Sequence, residues 1–568
     1  MSANQSFLSA ARYGYDVALG VTEASANAVL KKYLDTLPIA ELTICIVRES
    51  GRGVIIDYET LKQRANGSDP FNIPANADPE TDPDIINLRS AYFVCAFKAR
   101  IGLPHEMTPS AMPDIVTFND SSKTVTFTLL CAEFKIAAIK FSGYDPTEWT
   151  LLTQAAPKLW LFKTMVGLDF TDVMPGDYGQ LTGPIRDEIA KRGKDVFSIA
   201  RLSFDFNNAR VRSVPEINGL DDDSAAAEYL HRYFIAGYIK KLKENSEPVL
   251  GYALLLKERS QDTPLSISTA KLAISPYVDA GGQAILRPDA SQQRLATLNY
   301  QCAVNDKIMP PTGPFGWNWV DVPGDAGKHG AIAINRNTLV SYLYKTLETK
   351  FAQSCFIAWV NTRMDGPTKV IYSWRLMPYG QANPVITEKG PDVFSLSFDC
   401  NASDSSGSLI EMGSLTFKIK FDAQIRFTGN TIVVVQHLVI YVKAKYMANS
   451  GGGNLVDKKI TDTYTMRMEQ DRLKFDQTTT SEDRSYIDNI NPVADAFIHI
   501  NDIFKEIALY GRDMMSTYIR AVPLGAMQQF LFPGGNTYTL RDVRFSDNQD
   551  LIAYITYLDA EAIKYLNS

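Results

Sequence analysis

Between Leu415 and Phe427 apolar and polar residues alternate without a break. Leu415, Phe417, Ile419, Phe421, Ala423, Ile425 and Phe427 hold the odd positions; Thr416, Lys418, Lys420, Asp422, Gln424 and Arg426 hold the even ones. A period of two sends successive side chains to opposite faces, which predicts a strand with one dry face and one wet face. At ~3.3 Å per residue it spans roughly 43 Å. Thr428-Gly429-Asn430 supplies a turn, and Ile432–Lys445 is expected to return as the partner of a long hairpin.

A cover for the dry face is expected at Pro492–Arg520. Asn491 suits a helix cap, Pro492 the first helical position, and Asp495 the positive end of the dipole. Val493, Phe497, Ile500, Phe504, Ile507, Met514 and Tyr518 form an apolar stripe at helical spacing, with Asp502, Lys505, Arg512 and Asp513 on other faces. At ~1.5 Å rise per residue the helix is also roughly 43 Å long. A long helix along a long sheet leaves a groove, and Phe417, Ile419, Phe421, Ile425, Phe497, Ile500, Phe504 and Met514 are its candidate lining. Such a stripe has two fates: complete coverage by packed side chains, or a slot that holds an acyl chain or similar apolar ligand.

The first half carries related signals. Tyr13–Leu37 is expected as a helix, with Leu30, Tyr33, Leu34 and Leu37 recurring at helical spacing before Pro38. A second helix runs from the acidic stretch Asp221-Asp222-Asp223-Ser224 towards Lys243. Within Val125–Phe141 the apolar parity shifts from Val125, Phe127 and Leu129 to Phe134 and Ile136, the mark of a bulge that bends a sheet. After Asn337, Leu339, Leu343, Leu347 and Phe351 again mark a helix, and Lys459–Phe475 is expected as one strand. Each half therefore runs helix, strands, helix, strands.

Between the halves, Asp306–Gly330 holds four prolines and five glycines, which exclude a regular helix or central strand there. The expected organisation is residues 1–305 as one module, 306–330 as a junction and 331–568 as a second module. The fold class is α+β, each module a long amphipathic helix wrapped by a highly curved antiparallel sheet.

Composition narrows the function. Hydrophobic residues at 45% and charged residues at 21% of 568 argue against wholesale disorder. A net charge of −7 without a basic patch gives no support for a nucleic-acid partner. Met1–Arg12 lacks the basic and apolar regions of a signal peptide, and no stretch approaches the ~20 apolar residues of a membrane-spanning helix. Cytoplasmic synthesis is expected, with release by a signal-less route left open. Cys45, Cys95, Cys131, Cys302, Cys355 and Cys400 are scattered singly, as buried thiols rather than a disulfide framework.

The motifs of catalysis are missing. Gly324-Asp-Ala-Gly327-Lys328 departs from a phosphate loop, with Val322 and His329 where glycine and Ser/Thr are required. The five histidines are isolated, no Gly-x-Ser-x-Gly elbow occurs, and Asp221–Asp223 lacks calcium-loop spacing, which favours a helix cap. A non-enzyme without metal or cofactor is expected. Phe315, Trp317 and Trp319 either plug the junction or bind sugar or a membrane surface.

Tyr13-Gly14-Tyr15-Asp16-Val17 ahead of a long helix, the central Gly316-Trp317-Asn318-Trp319-Val320, and Phe532-Pro-Gly-Gly-Asn-Thr-Tyr538 through Tyr557 are similar to features of the clostridial OrfX and forty-seven-kilodalton protein family. Those proteins are encoded beside botulinum neurotoxin genes. The resemblance implies the tubular lipid-binding (TULIP) fold, a long helix wrapped in a curved antiparallel sheet, and supplies no catalytic residues. Three functions stand as expectations: a lipid or apolar-ligand binder, as an accessory of a toxin or other protein complex; a protein-interaction scaffold with a filled core; or an unfamiliar enzyme.

Overall fold

The computed structural model describes the chain apart from residues 1, 39, 105, 119–122, 143–144, 174–196, 246–248, 257–266, 322–326, 379–383, 388–389, 407–411, 470–471, 511–516, 518, 520–529, 532–537, 558–564 and 566–568. It is an α+β protein, and every strand pairing among the described residues is antiparallel. A central sheet has the order Ile267–Ser275, Thr297–Val304, Val17–Thr22, Gly330–Ile334, Leu551–Tyr557, Tyr538–Phe545. Val17–Thr22 thus lies between the strands that precede and follow the Pro/Gly-rich junction.

That placement corrects the expected Tyr13–Leu37 helix, which starts only at Glu23 and ends at Thr36. Val17–Thr22 is paired on both edges and buried at every position, so it is apolar as far as Val21 and carries no alternation. Thr22 ends the strand and caps the helix, its hydroxyl accepting the Ser25 N–H at 3.3 Å.

Two further sheets are built mainly from residues before 257. One has the order Arg52–Ile56, Ala40–Glu49, Phe93–Ile101, Cys131–Ser142, Asp145–Thr153. The other runs Phe530–Leu531, Val249–Leu256, Phe197–Ser213, Phe162–Val173, Thr124–Leu129, Val116–Phe118. The parity shift in Val125–Phe141 has two causes. The chain leaves one sheet for the other at Leu130, and Arg100 opposes Glu133 while Ile101 opposes Cys131, so Ala132 is the extra residue of a bulge. The helix Ala225–Glu244 packs on the first of these sheets, with Phe234 stacked on Phe134 at 4.6 Å. Its cap is Ser224, while Asp221 pairs with Lys140 at 2.8 Å.

The long C-terminal sheet has the order Pro384–Ile386, Asp392–Ser406, Gly413–Thr428, Thr431–Tyr446, Asn449–Glu469, Arg472–Asp483. All seven odd positions from Leu415 to Phe427 are buried, and the predicted hairpin turns at Gly429, whose φ of +58° suits glycine. Lys459–Phe475 is not one strand: the chain reverses between Glu469 and Arg472, and the two sides pair.

The expected Pro492–Arg520 helix is also corrected. Its described part is two helices, Pro492–Ile498 and Ile500–Leu509, broken at His499 with φ +54°. Local hydrogen bonds compete with the helix there: the Asp495 carboxylate accepts the Asn501 N–H at 2.9 Å, and the Asn501 side chain bridges the N–H and carbonyl of Ile490. The cover of the dry face is therefore shared. Phe351, on the helix Arg336–Ala352, meets Phe421 at 6.2 Å and Phe394 at 6.1 Å. Trp374, on the hairpin Phe356–Met364/Val370–Pro378, stacks on Phe417 at 6.2 Å, and Phe545 of the central sheet stacks on Phe427 at 4.2 Å. Among the described residues, no helix is long and apolar enough to cross a membrane.

Candidate functional site

The apolar face comes first. Phe417, Ile419, Phe421 and Ile425 are at most 2% exposed, and Ile500 and Phe504 are fully covered. All belong to one continuous core. The helix Ile500–Leu509 packs on Asn449–Glu469, two strands along the sheet from Gly413–Thr428, so the two groups of groove candidates meet in a shared core. The Phe497 side chain and Met514 lie outside the described residues. The cysteines are all free, five of them buried and Cys400 half-buried.

The junction aromatics gather on the opposite side of the central sheet. Phe315, Trp317 and Trp319 are buried with Tyr13, Tyr15, Ile552 and Tyr554. Trp317 meets Trp319 edge-on at 5.4 Å and Tyr13 edge-on at 5.0 Å. Trp319 Nε1 donates to Asn299 Oδ1 at 2.8 Å, the Gly316 N–H donates to the Tyr13 hydroxyl at 2.9 Å, and Gly20 leaves room for the Trp319 ring. The Tyr13-Gly-Tyr15 and Gly316-Trp-Asn-Trp319 motifs are thus one packing unit, joined by an aromatic cluster that offers no exposed ring face among these three residues.

Beside this cluster lies a buried polar knot that sequence reading missed. Asp550 accepts from Ser6 Oγ and the Leu8 N–H, each at 2.7 Å, and from the Arg336 N–H at 3.2 Å. Burial pushes its carboxyl up to about 6, against the pull of these donors. A second network lines the first helix. Glu23 accepts from the Phe118 N–H at 2.6 Å and Gln293 Nε2 at 2.7 Å, and buried Lys31 pairs with Asp114 at 3.1 Å. Burial pushes Glu23 up to about 8. Both networks tie segments far apart in sequence, a role of architecture.

The third feature is a hollow of about 450 Å³ on the wet face of the C-terminal sheet, lined by Lys420, Asp422, Gln424, Val435, His437, Asp457, Lys459, Glu482 and Arg484. Strand register puts Asp422, His437, Lys459 and Glu482 in one rung across four strands. His437 Nε2 lies 2.8 Å from Asp457 Oδ1, and Lys420 Nζ lies 3.0 Å from Asp422 Oδ2. The even positions of Leu415–Phe427 predicted a wet face; what they could not show was which residues of the next three strands stand beside them.

Fold and surface together define an antiparallel α+β architecture without a membrane-spanning helix among the described residues. No family model and no curated protein matches the chain. Among solved structures, the chain is similar to P47 from Clostridium botulinum A2, with a TM-score of 0.42 and 9% identity over 96% of this chain and 98% of that one. A lipopolysaccharide binding protein aligns over the same shares, with a TM-score of 0.24 and 9% identity.

Proposed function

We propose that this chain is a non-catalytic binding protein of TULIP-like build, acting as a protein-interaction scaffold with a self-filled core. The observation that carries this reading is the burial of Phe417, Ile419, Phe421, Ile425, Ile500 and Phe504 to 2% exposure or less by side chains of the protein itself. A slot wide enough for a hydrocarbon chain would leave solvent-accessible surface on its lining. The motif resemblance adds the expectation that its partners are proteins of a toxin or other secreted complex. In this reading the two parts of the chain, 1–305 and 331–568, are modules fastened through the central sheet.

A second reading, an apolar-ligand carrier, is favoured by the break at His499. Two short helices in place of one rod form a cover that hinges at a single residue, and a ligand entering there displaces Ile500–Leu509 from the sheet. Native mass spectrometry of the purified protein, followed by solvent extraction, separates the two. The scaffold reading expects the mass of the bare chain and no extracted lipid. A stoichiometric lipid retained by the native protein refutes it and establishes the carrier.

A further inference from the structure

We propose that the hollow on the wet face of the C-terminal sheet is a binding site for a small oxyanion, a phosphate or carboxylate group, held by Lys459, Gln424 and His437. The proposal is independent of whether the core is filled, because this face is the opposite side of the sheet from the apolar stripe.

The reasoning is a count of donors and acceptors. The acceptors lining the hollow are largely engaged. Asp422 receives Ser397 Oγ on Oδ1 at 2.7 Å and Lys420 Nζ on Oδ2 at 3.0 Å. Asp457 faces His437 Nε2 on Oδ1 at 2.8 Å and receives Asn454 Nδ2 on Oδ2 at 3.2 Å. Glu482 is tied to Arg484 at 2.9 Å. Lys420 and Arg484 are spent on these carboxylates, but Lys459 and Gln424 are not. Half-buried Lys459 has no carboxylate within ion-pair distance among the described residues, although it stands in the rung between His437 and Glu482. Among the described residues the Gln424 amide makes no side-chain hydrogen bond, and His437 leaves Nδ1 without a partner while Asp457 meets its ring through Nε2.

Each of these groups has a definite role towards an oxyanion. Lysine brings three donors and a full charge and the amide two donors, while the imidazole, turned to Asp457 through Nε2, adds a donor at Nδ1 only in its doubly protonated form. The sheet holds their backbones rigidly: Gln424 opposes Val435 and His437 opposes Lys459, with Val435 in the lining between them. An incoming cation would find both oxygens of Asp422 and of Asp457 already satisfied, and it would meet Lys459 at close range. The unspent charge nearest the centre of the rung is the Lys459 ammonium, and with the Gln424 amide it favours an acceptor ligand, although one Glu482 oxygen also stays open among the described residues. A volume of about 450 Å³ admits an oxyanion together with a small organic body.

The test uses the full chain labelled at histidine Cε1, with the His437 signal assigned by its loss in His437→Gln. Inorganic phosphate and acetate are titrated separately, and vesicles of phosphatidylcholine with phosphatidic acid form a further arm. A saturable shift of the His437 signal with phosphate or acetate is expected, and the small-anion titrations show which oxyanion is preferred. Response to vesicles assigns the source to a lipid headgroup; response to the free anions alone assigns it to a soluble ligand. Lys459→Met is expected to weaken binding about tenfold or more, and Gln424→Leu about threefold, whereas Lys418→Met on the same sheet face leaves it unchanged. No saturable shift in any arm, or equal binding by the parent and both Lys459→Met and Gln424→Leu, overturns the proposal.

Discussion

Replacing Phe421 with alanine tests whether the dry face is a packed interior. Phe421 is fully buried, meets the Phe351 ring at 6.2 Å, and stands in register between Phe398 and Leu438. Its neighbours are long-strand residues and a helix held from both ends, so the site has little freedom to collapse. A Phe-to-Ala change in such a place costs ~3–5 kcal/mol. For a cooperative unit of ~150–250 residues, each kcal/mol moves the melting temperature by ~2–4 °C, giving a drop of about 6–20 °C. Lys418, exposed on the same strand, is the comparison: Lys418→Ala is expected to stay within ~0.5 kcal/mol of the parent. Lys420 is a poorer control, because it pairs with Asp422 and opposes Asp399. A chain of several sheets need not melt as one unit, so hydrogen exchange on peptides from Gly413–Thr428 is the second readout. Equal melting of the two variants, with unchanged protection of that strand, would falsify the packed-face account.

Three further perturbations address other parts of the molecule. Glu23 has its carboxyl raised from 4.5 to about 8, so the stability it confers is full below about 4.5 and is lost as pH rises through about 8. Glu23→Gln is therefore expected to flatten the fall of melting temperature across that window and to melt above the parent beyond pH ~8; parallel curves refute this. Gly20→Ala would place a methyl carbon 2.3 Å from Trp319 Cδ1, and a loss of ~1–3 kcal/mol in denaturant unfolding is expected, non-additive with Trp319→Phe. Additive losses would show that the ring is not the obstacle. His499→Gly removes the cost of a left-handed side-chain residue and is expected to gain ~1 kcal/mol, while His499→Val loses stability; the reverse order counts against a built-in break.

What was legible in the sequence depended on periodicity. Leu415–Phe427 could be read position by position because one face is dry and the other wet. Leu339, Leu343, Leu347 and Phe351 could be read because a helix buries one stripe, and all four are buried. Val17–Thr22 could not, since a strand covered on both faces is uniformly apolar and merges with the helix that follows. At His499 the apolar spacing continues across the break in the sequence, although Pro492–Ile498 buries Ala494 and Ile498 and leaves Val493 exposed; the cause lies in side-chain hydrogen bonds of Asp495 and Asn501, which periodicity does not register. Faces were legible, partners were not: the dry face met Phe351, Trp374 and Phe545 rather than the helix matched to it by length. The hollow around His437 was out of reach for the same reason, since it depends on the register of four strands.

The central sheet also sets a clock on biosynthesis. Val17–Thr22 needs Gly330–Ile334 on one edge, and that strand needs Leu551–Tyr557 on its other edge. At ribosomal rates of ~5–20 residues per second, the first of these strands waits on the order of half a minute or longer for the last to emerge. During that interval the edge of Gly330–Ile334 and the aromatic faces beneath it stand open in a nascent chain whose long C-terminal hairpins have already been made. Sheets assembled from local hairpins close early; this one, spanning the chain, closes last, and the wait falls to whatever shields an unpaired edge in the cell that makes it.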